Sequence, residues 1–247
     1  MVSPFRRHQQ KARAVLAGSK AAPQTSAAPP APAEDSPAGQ EYAGLRAALH
    51  DNLRSLADIA SHEQRQPKKA EFAKTFAPWI EGVIEANAPV QDEILVTNMI
   101  WAIDYGDLDY ALRLGRFAIE HNLAMPEQYS RSVACFIAEE IAEIALKDED
   151  AVRHDQLGDV LQLTAQADMP DQAKAKLFKA LGRSWARRAE DFDATADNAP
   201  AGGAKAYAGE AEEMFHRALK LDEKSGVKTD IKQIEKLLKA LGDAEDS

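Results

Sequence analysis

Apolar side chains recur at alternating steps of three and four residues along most of this chain, which is the spacing of one face of an α-helix. Between Phe72 and Leu241 the pattern continues almost without a break, so helices are predicted almost throughout. A tight turn at residues 104–107 interrupts it, with Asp107 as the predicted N-cap of the following helix. We therefore predict an all-α fold of stacked helical hairpins.

Residues 41–64 carry a more regular pattern, a heptad-like seam that extends over about three heptads. Its one polar member could set the register or the oligomeric state of a coiled coil. An ordinary helix that packs on its own domain would produce the same short pattern. The first interpretation predicts a short coiled-coil oligomerisation helix with the contact residues Leu45, Leu49, Asn52, Leu56 and Ile59.

The first forty residues have a composition unlike the rest of the chain. Residues 3–17 predict a short helix that carries four basic side chains and no acidic one. Residues 19–40 are rich in Ala, Pro and Ser and cannot bury enough apolar surface to become ordered. We therefore predict a flexible basic N-terminal arm whose candidate DNA-binding residues are Arg6, Arg7, Lys11 and Arg13.

A loop from Asp193 to Lys205, rich in small residues, is the clearest break in the helical pattern. It separates a predicted central helical domain at 65–192 from a C-terminal helical pair at 193–247. Together with the arm and linker at 1–40 and the seam helix at 41–64, these segments make up the predicted domain organisation.

The helix predicted from Asp171 to about Glu190 separates apolar from basic side chains. No acidic residue interrupts residues 172–189, although the chain as a whole has a net charge of −10. A basic stripe of this kind is what contacts to DNA phosphates require. A solvated helix face, or a surface that pairs with an acidic neighbour, would look the same. The first interpretation predicts DNA contacts from Lys176, Lys179, Arg183 and Arg187.

The remaining composition restricts the chemistry further. Hydrophobic residues make up 45% of the chain but aromatic residues only 6%, which favours packed helices over a sheet. The single cysteine, Cys135, lies among apolar residues and is predicted to be a core residue. We find no run of about 18 apolar residues that could span a membrane, and we expect no interaction with a membrane.

Candidate catalytic groups are few. Acidic residues cluster at 104–109 and 148–150, where capping and solvated turns explain them most simply. The six histidines form no pair at helical spacing, and no glycine-rich phosphate loop for ATP is found. The residues therefore indicate a binding protein with no catalytic residue, no metal site and no cofactor, with Mg²⁺ required only if the chain is itself a nuclease.

The sequence also contains an ordered series of short motifs, formed by Ser3, Pro4, Arg7, His8, Gln91, Asp92, Ile94, Leu95, Thr97, Met99, Trp101, Asp104, Gly106, Asp107, Leu123, Met125, Pro126, Glu139, Glu140, Leu163 to Asp171, Ala218, Leu221, Asp222, Gly226, Val227 and Lys228. This series resembles the small terminase subunits of temperate cohesive-end phages, the gene product M family of myophages. The resemblance covers most of the chain outside residues 19–70.

This resemblance implies a role in starting DNA packaging in the host cytoplasm. Members of the family recognise the cohesive-end site on concatemeric phage double-stranded DNA and act with a large subunit that hydrolyses ATP. Small terminase subunits generally form rings, so a homo-oligomer is expected. Because members are often labelled the endonuclease subunit, whether the chain is an enzyme stays open. The alternatives are an endonuclease that cleaves the site itself and a tetratricopeptide-like scaffold that binds other proteins.

Overall fold

The computed structural model describes residues 30–33, 35–87, 90–193 and 202–245. In these ranges the chain is all-α, as predicted, and contains no strand. The basic arm, with Arg6, Arg7, Lys11 and Arg13, lies outside the described residues. The helices are α1 (Pro37–Ala57), α2 (His62–Glu85), α3 (Glu93–Tyr105), α4 (Leu108–Glu120), α5 (Val133–Lys147), α6 (His154–Thr164), α7 (Asp171–Glu190), α8 (Gly203–Leu221) and α9 (Lys228–Glu245).

The chain divides into two compact units, Met1–Phe136 and Ile137–Ser247. The first contains α1 to α4, and the second contains α6 to α9 with most of α5. This division differs from the predicted boundary at 192/193. The loop predicted at 193–205 interrupts the helical pattern of the sequence, but α8 already begins at Gly203. The helices α7 and α8 form the most extensive helix pair of the second unit. A break in a sequence pattern is therefore not a break in packing here.

The start of α1 shortens the predicted linker. Ser36 is the N-cap, and its hydroxyl accepts a hydrogen bond from the Gly39 backbone N–H at 3.0 Å. Pro37 occupies the first turn, where its missing N–H costs no helical hydrogen bond. The helix thus begins at Pro37, inside the segment of 1–40 that was predicted to be flexible.

The seam residues of α1 pack within their own unit. Leu49 is fully buried and Leu56 is 5% exposed, while Leu45 and Asn52 are half-buried. Ile59, the last predicted seam residue, lies after the end of α1 at Ala57, so the helix predicted over 41–64 ends before it. The helix packs on α2 and α3, and its Tyr42 hydroxyl accepts a hydrogen bond from the Glu93 N–H at the start of α3. The buried part of the seam is therefore explained by packing inside one chain, which was the alternative interpretation.

The predicted hairpin at residues 104–107 is present and joins α3 to α4. Gly106 ends α3 with a φ of 88°, a conformation that a side chain would disfavour. The Asp107 carboxylate then accepts a hydrogen bond from the Tyr110 N–H at 3.1 Å, which confirms Asp107 as the N-cap of α4. Every residue from Ile94 to Ile103 is buried, so α3 is the central helix of the first unit.

In the second unit, α7 and α8 approach closely at one glycine. A Cβ at Gly182 would lie 2.5 Å from Cε1 of Phe215, whose side chain is 1% exposed. No ring shift could relieve this contact cheaply, because Phe215 is packed on all sides. Gly182 therefore sets the distance between the two helices.

We predict that Gly182→Ala destabilises the protein by about 1–3 kcal/mol, because the added methyl group overpacks the α7–α8 contact. Urea unfolding followed by circular dichroism would measure the loss. Gly209→Ala in α8 is the matched control: a Cβ there meets nothing within 4 Å, and alanine should stabilise the helix by about 0.5–1 kcal/mol. Equal effects of the two substitutions would contradict the role of Gly182.

Candidate nucleic-acid interface

Helix α7, which carries the predicted DNA-binding stripe, is the central helix of the second unit. It begins after Pro170, as predicted, with Asp171 in its first turn, where a carboxylate favours the positive end of the helix dipole. Its apolar face is in the core, with Leu177, Phe178, Leu181 and Trp185 each at most 6% exposed. The small residues Ala175, Ala180 and Gly182 are buried as well.

Each of the four stripe residues bonds to another segment of the same unit. Lys176 Nζ lies 3.1 Å from Glu143 in α5, and Lys179 donates to the Ser225 carbonyl at 2.9 Å. Burial lowers the pKa of Lys179, and the nearby charge of Arg183 lowers it further. The other two bonds are Arg183 Nε to Asp230 in α9 at 3.0 Å and Arg187 Nη1 to Asp150 at 2.8 Å.

These bonds make the stripe a pairing surface for acidic and carbonyl neighbours, the second of the two interpretations. All four side chains are half-buried, so the stripe faces solvent only in part. Long cationic side chains can cover apolar surface with their methylene stems while the charged group finds a partner. DNA contact by these four residues stays a prediction, and it would have to compete with the bonds they already make.

The acidic clusters are explained largely by caps and ion pairs. Asp104 lies 2.5 Å from Lys69 Nζ, and Asp107 is the cap of α4. Asp148 accepts a hydrogen bond from the Asp150 N–H at 3.0 Å, and Asp150 pairs with Arg187. The prediction that capping and turns account for these residues is confirmed for Asp107 and Asp148.

A row of exposed lysines on α9 was missed in the sequence. The four positions fall within roughly 80° of the helix circumference, opposite the buried Ile231 and Ile234. Among the residues that the structure describes, none of these lysines forms an ion pair or hydrogen bond. The helical spacing of these lysines can be read in the sequence, but acidic residues lie between them and suggest a face of mixed charge. The fold shows that one of these acids, Asp230, faces α7 and pairs with Arg183. The lysine row consists of Lys228, Lys232, Lys236 and Lys239.

A second overlooked group joins α8 to α9. Glu212 and His216 are one turn apart on α8, and Glu235 approaches them from α9. One ligand atom from each lies within 4.8 Å of the other two. The Glu-x-x-x-His spacing of Glu212 and His216 can be read in the sequence. The approach of Glu235 cannot, because it depends on how α9 packs on α8.

The phrase at residues 91–101 has a structural role in the first unit. The Gln91 amide donates to the Asn122 carbonyl at 3.1 Å and accepts from the Ala124 N–H at 2.8 Å. The Asp92 carboxylate is the N-cap of α3, accepting from the Leu95 N–H at 3.0 Å, and it also accepts from the Trp79 indole at 2.8 Å. These bonds fix the start of the buried helix and do not form an active site.

Asp92 is only 2% exposed, and this burial raises the pKa of its carboxyl above the ordinary value. The negative charge of Glu93 adds to the rise, while the hydrogen bonds from Leu95 and Trp79 oppose it. The hydrogen bonds that this buried carboxylate accepts hold the start of α3 in place.

Among the described helices, none is both long enough and apolar enough to cross a membrane.

The comparisons with known proteins agree with the resemblance seen in the sequence. A family model described as "Phage small terminase subunit" matches residues 46–172, from the middle of α1 to the first turn of α7. The chain is 33% identical over 242 residues to a protein of Escherichia phage P2, covering 97% of this chain and 87% of that protein. The chain belongs to the phage small terminase subunit family.

The P2 relative is named "Terminase, endonuclease subunit". A shorter match, 28% identical over 104 residues, links the chain to the "Probable terminase, endonuclease subunit" of Haemophilus phage HP1 and covers 42% of this chain and 37% of that protein. No solved structure matches the chain. Membership of the family gives this small terminase subunit a role in phage DNA packaging, with DNA and a large subunit as the general partners of the family.

We predict that the Arg183–Asp230 pair stabilises the second unit. Asp230 is 14% exposed, so Arg183→Ala should cost about 1–3 kcal/mol by leaving a covered carboxylate without its cation. A double-mutant cycle with Asp230→Ala, measured by urea unfolding, should give a coupling energy of about 1 kcal/mol or more.

Arg187→Ala is the matched control for this cycle. Its partner, Asp150, is 90% exposed, and such a pair contributes less than about 1 kcal/mol. A coupling energy near zero for Arg183 and Asp230 would show that the stripe is held by its apolar stems alone.

A second prediction concerns the pH dependence of stability in the first unit. The pKa of Asp92 is higher in the folded protein than in the unfolded chain, so the folded protein keeps the Asp92 proton to a higher pH. The contribution of Asp92 to the unfolding free energy therefore falls as pH rises from the unfolded-state pKa to the folded-state pKa. The unfolding free energy of the wild type minus that of Asp92→Asn should therefore decrease with rising pH in this acidic window and be constant above it. Urea titrations at a series of pH values would measure the difference. A difference that increases with pH would contradict the raised pKa.

Proposed function

We propose that the chain recognises the cohesive-end site on concatemeric phage DNA and transfers this DNA to the large ATPase subunit for cutting and packaging in the host cytoplasm. The observation that carries the proposal is the similarity to the P2 terminase subunit, which extends over 97% of the chain. Similarity over this length supports a shared role of the whole protein and not of one motif.

The lysine row of α9 is the DNA-contacting surface that the described residues favour. Its four side chains are exposed and are not engaged with acids among the described residues, whereas each cation of the α7 stripe already makes a bond. A free ammonium group neutralises a phosphate without first giving up another partner. The N-terminal arm, with its four basic residues, would add contacts of the same sequence-independent kind.

We infer that the active form is a homo-oligomer, in agreement with the general behaviour of the family. Leu49 and Leu56 are buried within one chain, so a ring would use the open side of α1 or another surface. The mass of the native assembly, measured by sedimentation with and without a cohesive-end fragment, tests this part. A monomer under both conditions would reject the ring.

Two alternatives remain distinguishable by experiment. The names of the two relatives favour an endonuclease that cleaves the site itself. Incubation of cohesive-end DNA with the purified chain and Mg²⁺, with a chelator control, tests this directly, since our proposal assigns the cutting to the large subunit. The helical hairpins also favour a tetratricopeptide-like scaffold, which would bind other proteins and would not sediment with DNA.

Replacing all four residues of the lysine row by glutamine should weaken retention of a cohesive-end fragment. The slope of log K against log[salt] is negative, and each lost phosphate contact makes it less negative by about 0.9, so its magnitude should decrease by up to about 3.6. Fluorescence anisotropy at several salt concentrations would measure both values. The helix should remain folded, because these side chains are exposed.

The arm variant with Arg6, Arg7, Lys11 and Arg13 replaced by glutamine is measured in parallel. A variant with Lys68 and Lys74 replaced, two exposed lysines of the first unit, is the control for a general loss of positive charge. If the lysine-row variant keeps the wild-type slope while the arm variant loses it, DNA contact belongs to the arm and not to α9.

A further inference from the structure

Glu212, His216 and Glu235 form the one convergent group of potential metal ligands found in the described part of the chain. On a helix, residues four apart lie one above the other on the same face, so Glu212 and His216 project together from α8. Because α9 packs on α8, Glu235 reaches the same point from the side. The group is thus built by two packed helices within one unit.

The separation of the three ligand atoms fits a single metal ion after a small adjustment. Carboxylate oxygen and imidazole nitrogen bind Zn²⁺ at about 2.0–2.2 Å, which places the ligand atoms of a tetrahedral site about 3.4 Å apart. The three atoms lie within 4.8 Å of one another, so closure requires movements of about 1 Å. His216 and Glu235 are exposed and Glu212 is half-buried, so their rotamers can shift without repacking the core.

The charges at this point also favour a cation. Two carboxylates converge here, and among the described residues neither one is in an ion pair or a hydrogen bond. By contrast, two other acids of this unit pair with cations of α7: Glu143 with Lys176, and Asp230 with Arg183. Like charges held together repel, and a divalent ion between them would replace this repulsion with attraction.

The donor set selects the class of metal. Imidazole with carboxylates suits Zn²⁺ and related transition-metal ions, whereas Mg²⁺ prefers oxygen ligands and retains most of its water. Three protein ligands also leave at least one coordination position for water. The site lies beside the lysine row, since Lys232 and Lys239 are the helical neighbours of Glu235 at three and four residues.

We propose that Glu212, His216 and Glu235 bind one divalent transition-metal ion of the zinc class and thereby fasten α9 to α8. This site goes beyond the proposed function, because neither DNA recognition nor transfer to the large subunit requires a metal. The ion would hold the lysine row in a fixed position relative to the second unit.

Isothermal titration calorimetry of the metal-stripped full chain with ZnCl₂ and with MgCl₂ tests the site. We expect one Zn²⁺ ion per chain and much weaker binding of Mg²⁺. His216→Gln and Glu235→Gln should each weaken the binding of Zn²⁺ by at least about tenfold, a loss found already when outer partners of metal ligands are removed. The melting temperature should rise with Zn²⁺ in the wild type and not in these variants.

Glu213→Gln is the matched control, since this neighbouring exposed glutamate on α8 is outside the group. It should bind Zn²⁺ as the wild type does, and the circular dichroism of all variants should be unchanged because the ligands are not core residues. Absence of Zn²⁺ binding, or wild-type affinity in His216→Gln and Glu235→Gln, would overturn the proposal. In the second case the ion is bound elsewhere on the chain.

Discussion

The second unit depends on the bonds that the covered cations of α7 make to neighbouring segments, above all the bond from Arg183 to Asp230. A positive charge that is covered by neighbouring helices needs a carboxylate or a carbonyl within bonding distance, because burial without a partner is costly. The partners of α7 come from α5, from the segment before α6, from the turn after α8 and from α9. The four stripe cations of α7 therefore each bond to a different segment of the unit, and the best covered of the three carboxylate partners is Asp230 at 14% exposure.

The first unit is organised in a different way, around a helix that is buried on all sides. Residues 94–103 of α3 are buried and display no site, and the polar side chains just before the helix fix its position. Asp92 fixes the start of the helix, and the Gln91 amide holds residues 122–124 beside it. This phrase, one of those by which the family is recognised, thus serves folding, and the family match covers this unit from the middle of α1 onward.

Local features of this fold could be predicted from the sequence, and long-range features could not. The hairpin at Gly106, the cap at Asp107 and the start of α7 at Asp171 depend on neighbouring residues, and all three are present. The partners of the stripe lie 33 to 47 residues away along the chain, so helical periodicity carries no information about them. The convergence of Glu235 with the Glu212–His216 turn was hidden for the same reason, and so was the burial of the α1 seam.

The contact between Gly182 and Phe215 has a consequence for the segment that joins their helices. Because the two helices are positioned by the contact itself, the length of the connection between Asp193 and Gly202 is not needed to align them. Doubling the number of residues that join two packed helices costs only about 0.6 kcal/mol of loop-closure free energy. A peptide tag or a spectroscopic label inserted between the two helices should therefore leave the stability of the unit almost unchanged.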